Sequence, residues 1–173
     1  MCGIVGLFHK NKTLQTELGM HLSRMLCVMS DRGPDSAGFA VYQEADEGLV
    51  KITVRDKQAP GKAARPFKQI IEVLGRKPAI KQVFVRDDHA VLLLAESEAE
   101  TLIAELSEHS ECDLVASGRS IELYKSTGRP QSVTARFELS SMPGMHGIGH
   151  TRMATESKVT LAGSHPFLSL IHI

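Results

Sequence analysis

The chain has 173 residues, with 20 basic and 20 acidic side chains and no formal net charge, 42% apolar residues and 14 glycines. That is ordinary globular composition, and the length suits one domain with room for a small lobe grafted onto it. Balanced charge argues against a nucleic-acid or anionic-membrane binder, and no apolar run nears the roughly 18 residues that span a bilayer, so a soluble protein is expected.

In chain order, Cys2 to His9 carries Ile4, Val5, Leu7 and Phe8 between glycines, which predicts a strand buried on both faces. Leu14, Leu18, Leu22, Met25, Leu26 and Met29 recur at spacings of four and three, the apolar face of a helix opened by Thr13 and closed by Arg32, Gly33 and Pro34. Cys27 falls inside that helix as a packing residue. Ser36 to Tyr42 and Leu49 to Val54 read as two strands with a turn at Asp46 to Gly48. Gln58 to Arg65 is a loop by composition, and Pro66 opens a short helix that Gly75 ends. Val83 to Val85 and Ala90 to Ala95 bracket Asp87 and Asp88 as strand, turn, strand. Ser97 followed by Glu100 is a capping-box pattern, opening a helix over Leu102, Ile103 and Leu106. Strands at Asp113 to Ala116 and Ile121 to Tyr124 follow, so residues about 80–125 form a compact βαββ-like unit that reads as an insertion. Gly144 to Met153 is a strand-like stretch in which His146, His150 and Arg152 alternate onto one face. A polar loop follows and closes on Pro166, the kind of segment where chemistry sits.

Met1 to Phe8 has neither the basic stretch nor the small-residue cleavage site of a signal peptide, and Cys2 stands where myristoylation needs glycine. Cys2, Cys27 and Cys112 are an odd number at wide spacing, which suits a reducing cytoplasm rather than a disulfide framework. His109 and Cys112 lie three apart without a second pair at matching spacing, so no metal site is expected. Gly61-Lys62 lacks the upstream glycine of a phosphate loop, and the glycines at 144, 147 and 149 lack dinucleotide spacing, so no cofactor is implied.

Chemistry concentrates at the N-terminus. Removal of Met1 would leave Cys2 with a thiol and a free α-amine on the same residue. Such an amine, with a reference pKa of about 7.7 to 8.0 against about 10.4 for lysine, is partly neutral near pH 7 and can serve as base to its own thiol. The base is held a few bonds from the sulfur, at high effective concentration. Taken alone, Cys2 reads first as a small apolar residue of a buried strand and only second as a nucleophile.

Four motifs accompany it in order: Met1-Cys2-Gly3-Ile4-Val5-Gly6, Asp31-Arg32-Gly33-Pro34-Asp35-Ser36-Ala37-Gly38, Gly149-His150-Thr151-Arg152-Met153-Ala154-Thr155 and Ser164-His165-Pro166-Phe167. Together they resemble the class II glutamine amidotransferases, which belong to the N-terminal nucleophile hydrolases. The resemblance implies an α+β fold, an αββα sandwich with a small α/β lobe inserted near 80–125, over residues 1–167. It implies a glutaminase that hydrolyses the side-chain amide of glutamine through a Cys2 thioester and passes ammonia to synthase subunits in a hetero-complex. By the same resemblance Arg152 grips the substrate α-carboxylate, a role its planar fork suits; Thr155 bonds the backbone end of glutamine, and His165 lines the pocket. Arg32, Gly33 and Asp35 form the scaffold loop beside the nucleophile strand, where the arginine and aspartate are expected to brace each other. His150 reads as a buried hydrogen-bonding residue rather than an acid or base.

The family pattern continues through a His-Asn-Gly oxyanion motif and an aspartate for the α-amine, whereas this sequence stops at Ile173. Loss of one oxyanion donor costs about 100- to 1000-fold in turnover. The chain therefore reads as an N-terminal part, and its tail, 168–173, departs from the family pattern and resembles translated adapter sequence. The motif pairing looks most like the stand-alone amidotransferase subunits related to glutamate synthase and N-methylglutamate synthase. Met153 and Glu156 stand where hexosamine enzymes have an aromatic residue and a histidine, which argues against the purine- and hexosamine-pathway alternative. Two readings from other classes stay open: a silent interaction subunit or inactive fragment, and a redox-reactive Cys2 thiol.

Overall fold

The computed structural model describes residues 2–57, 65–77, 79–108, 111–154 and 164–166, with backbone alone for 65–67. It is a mixed fold of two antiparallel four-stranded sheets and, among the described residues, four α-helices. Two compact units divide it, Met1–Glu44 with Leu123–Phe167, and Ala45–Glu122. No helix among the described residues is long and apolar enough to cross a membrane.

The first unit holds β1 (Gly3–Phe8), α1 (Leu18–Val28), β2 (Ser36–Tyr42), β7 (Ile121–Thr127, shared with the boundary), α4 (Pro130–Arg136) and β8 (His146–Arg152). Its sheet runs β1-β8-β2-β7, with β8 antiparallel to both β1 and β2. The N-terminal strand is thus an edge strand and not the doubly buried one expected: Ile4 is 70% and Phe8 63% exposed. Strand residues alternate between faces, and only the set Gly3, Val5 and Leu7 turns inward.

The helix expected from Thr13 starts later. Asn11 caps a 3-10 turn over Lys12–Glu17, its side-chain oxygen accepting from Thr13 N at 3.0 Å, and Leu14 is left outside the core. From α1 itself Leu18, Leu22 and Leu26, at i, i+4 and i+8, are fully buried, each worth about 1.5 to 3 kcal/mol. They lie on β8 where it has no side chains: a Cβ at Gly147 would stand 2.7 Å from Leu22 Cδ2, and one at Gly149 2.7 Å from Leu26 Cδ2. On the same side, Phe39, Tyr124 and Phe137 form an aromatic triad with centroids 5.3 to 6.2 Å apart. Phe137 follows α4, a helix not expected from sequence although Pro130 stands in its first turn.

The second unit holds β3 (Leu49–Asp56), α2 (Arg65–Gly75), β4 (Ile80–Arg86), β5 (His89–Ala95), α3 (Ala99–Glu108) and β6 (Cys112–Gly118), with sheet order β4-β5-β3-β6. The β4–β5 hairpin turns at Asp87, whose φ of 52° is left-handed. The capping box expected at Ser97 is not formed, because a 3-10 turn over Glu96–Glu98 leads into α3 and puts Ser97 inside the turn. Ile71, Leu74, Leu102 and Leu106 of the two helices pack with Ile52, Val54, Leu92 and Leu94 into this unit's own core. At its other side Lys51 and Glu122 make a buried ion pair of 2.6 Å. Strands β2 and β3, expected as a pair across the turn at 46–48, belong to different sheets, as do β6 and β7.

Candidate active site

Cys2 is exposed and stands one residue ahead of β1. In the β1–β8 register Gly3 pairs with Thr151, so continuing by one residue sets position 2 opposite Arg152. On the other flank of β8, Ser36 pairs with Arg152. The candidate carboxylate-binding arginine and a serine therefore share a row, and the candidate nucleophile directly precedes the first residue of the neighbouring strand β1. The next row is Ile4, His150 and Gly38. Because strand side chains alternate, both rows use the face turned away from Leu22 and Leu26.

The loop before β2 is tied to the end of β8. Asp35 N donates to Arg152 O at 3.1 Å, and the Asp35 carboxylate accepts from Ala154 N at 2.7 Å. Gly128 N donates to Asp35 O at 2.8 Å. Gly33 passes so close to the backbone of Thr151 and Arg152 that any Cβ would collide with it, which is what demands glycine there. On the far face of β8, Thr151 Oγ1 donates to Met29 O at 3.3 Å. Arg32 is exposed, and the expected brace between Arg32 and Asp35 is not made: the aspartate acts on the backbone of Ala154 instead.

His165 is carried by the short described segment Ser164 to Pro166. It stacks on His150 with centroids 4.5 Å apart and planes 25° apart. Gly38 makes room beneath, since a Cβ on it would run into His165 O and lie 2.8 Å from Lys125 Cβ. Both imidazoles are held below the ordinary histidine value, His150 by burial and then by His165 and Arg152, His165 by burial and then by Arg152 and Lys125. Those cations near the stack give the site a positive field suited to a carboxylate.

The structure thus brings together the positions of Cys2, Arg152, His165, Gly33 and Asp35, leaves Arg32 at the surface, and does not describe Thr155, which lies outside the described residues. Two residues of the site carried no expectation. Ser36 is fully buried, and its hydroxyl has no hydrogen-bond partner among the described residues; its place in the Asp-Arg-Gly-Pro-Asp-Ser motif was the available signal. Lys125 approaches Gly38 from β7, a long-range contact that no local pattern encodes. The other thiols differ from Cys2: Cys27 packs 3.9 Å from Thr134 Oγ1, and burial, with Asp56 and Glu111 nearby, pushes the Cys112 thiol up to about 11.

No protein-family model matches the sequence. The chain is 45% identical over 168 residues to the glutamine amidotransferase-like protein GlxB of Rhizobium meliloti, a match that takes in 96% of the chain and 54% of GlxB. It is 32% identical over 180 residues to a Methanothermobacter thermautotrophicus protein whose name carries the words glutamine amidotransferase, covering 99% of the chain and 58% of that protein. A shorter match, 39% over 49 residues, is to the glutamine–fructose-6-phosphate aminotransferase of Bradyrhizobium diazoefficiens, covering 28% of the chain and 8% of the enzyme. The chain spans a little over half the length of the first two relatives. Over nearly its whole length, then, it is similar to proteins named for glutamine amidotransfer.

Proposed function

We propose that the chain carries the nucleophile side of a class II glutamine amidotransferase, a glutaminase of the N-terminal nucleophile type that supplies ammonia to a partner synthase. The convergence of position 2, Arg152 and the His150–His165 stack on one face of one sheet supports this reading. That sheet carries α1 and α4 against one face, as one half of an αββα sandwich would.

With Met1 removed, the α-amine of Cys2 takes the thiol proton and the thiolate attacks the side-chain amide carbon of glutamine. Collapse of the tetrahedral adduct expels ammonia, which leaves with the proton from the ammonium, and a thioester remains. Water then adds, its proton passing to the same amine, and the departing thiolate recovers that proton as glutamate forms. Arg152 holds the α-carboxylate in a bidentate grip, Thr155 bonds the backbone end of the substrate, and His165, uncharged in its stack, walls the pocket. Asp35 and Gly33 fix the backbone of residues 152–154, from which Arg152 projects. Looseness here is costly, because an ångström of misplacement of such a clamp costs about 100-fold.

Intact mass of the expressed chain, before and after a chloroketone analogue of glutamine, tests this. The expected result is loss of Met1 and a single adduct that glutamine suppresses and Cys2→Ala abolishes, with Cys112 unmodified because its thiol stays protonated. Retained Met1, or an adduct indifferent to glutamine, would sink the reading.

A further inference from the structure

The second unit has a groove that the chemistry at Cys2 does not use. It lies between α2 and β4 and encloses a cavity of about 610 Å³. Its apolar lining comes from Ile71 on the helix and Ile80, Val83 and Val85 on the strand. Around it stand Lys68, Arg76 and Lys81, against one carboxylate, Glu72. None of the three cations forms an ion pair with a described residue, whereas the adjoining Lys77 is paired with Glu105.

The strand beside the groove is the outermost of its sheet, so among the described residues no strand pairs with its outer edge. An open edge presents free backbone donors and acceptors, and proteins guard such edges with charge. Here Lys81 and Arg86 guard the ends only. Between them Val85 is 51% and Phe84 40% exposed.

From the apolar groove, the open edge and the unpaired cations we infer that β4 and α2 form a docking site for an extended, acidic and apolar segment of a partner protein. The segment adds to the edge of β4 as a further strand. Backbone bonds give such an addition its affinity, and alternate side chains reach the pockets that give it specificity. In this groove the alternate side chains facing α2 are apolar and meet Ile71, Val83 and Val85. Carboxylates next to them meet Lys68, Arg76 and Lys81. A second copy of the chain fits poorly, because antiparallel pairing of two β4 strands centred on Val83 and Phe84 sets Lys81 of each opposite Arg86 of the other. Like charges directly across a strand pair are destabilising. The inference does not depend on the glutaminase reading.

The test uses the whole chain and a fluorescent synthetic peptide of alternating glutamate and valine, followed by anisotropy and by amide exchange of residues 80–86. Saturable binding is expected, with slowed exchange along β4. It should weaken about tenfold, the equivalent of about 1.4 kcal/mol, when glutamate is replaced by lysine in the peptide or when the chain carries Arg76→Glu and Lys81→Glu. Both positions are exposed, so the variant should keep its far-UV spectrum and melting temperature. Absence of binding, equal binding of both peptides, or concentration-dependent self-association that protects β4 without peptide would each overturn the inference.

Discussion

The stacked imidazoles of His150 and His165 have no room for two protons. Burial, Arg152 and Lys125 all oppose charging them, and both are held below the ordinary value of 6.5. Between 6.5 and the folded values the unfolded chain binds more protons than the folded one, so stability rises with pH in that window. The pair's contribution is therefore complete above 6.5 and is lost as the pH falls through the folded values. Melting temperature should drop on going from about pH 7 to about pH 5, and less steeply in His150→Phe, which keeps an aromatic face for stacking and cannot protonate. Thermal unfolding across that range checks it, and parallel slopes in the two proteins would count against the stack as the source. At this scale Cys2, Arg152 and His165 could be nominated from sequence because each stands in a short local motif. The burial of Ser36 and the approach of Lys125 were not, because they depend on strands remote in sequence.

Between elements, α1 fits closely on β8. Gly149 leaves a space that Leu26 fills, so a side chain at either position is measured against the other. Gly149→Ala should overpack the contact by about 1 to 3 kcal/mol, and Leu26→Ala should open a cavity costing about 2 to 5 kcal/mol. Combined, they should cost less than the sum by at least about 0.5 kcal/mol, because the new methyl occupies part of the void. Urea unfolding of the four proteins measures this, and strict additivity would show that the two residues do not share the space. Periodicity gave away α1, β2, β4 and β5, because spacing of apolar residues is itself the cause of burial on one face. The edge status of β1 was hidden: Ile4 and Phe8 are as apolar as Val5 and Leu7, and only pairing decides which set is covered. The cap at Ser97 failed for a similar reason, the chain entering α3 through a 3-10 turn.

Across the whole molecule, Ala45–Glu122 has its own sheet, two helices and its own core. Its ends approach each other through the 2.6 Å contact of Lys51 with Glu122, the arrangement expected of a segment inserted into a host fold. Residues 45–122 expressed alone should give a cooperative thermal transition by circular dichroism. A gradual, non-cooperative loss of signal would show that the segment depends on the remainder for its fold. The insertion was expected near 80–125, whereas the compact unit spans Ala45–Glu122. What moved the boundary is that β3 takes its partners from β5 and β6, after the segment most easily read as inserted has begun.

Sequence alone determined that this is a chain of mixed helices and strands, with a cysteine at position 2, an arginine whose fork suits a carboxylate and a glycine-containing loop between them, because residue chemistry, apolar period and turn chemistry are local properties. Tertiary structure alone decided which strands share a sheet, which face of β1 stays open, that the aspartate of the loop holds the backbone of Ala154, and that the two histidines stack. The pairing of β1 with β8 and the hold of Asp35 on Ala154 join residues more than a hundred positions apart, and the histidine stack rests on the sheet they build, so their free energy exists only once the chain has closed on itself.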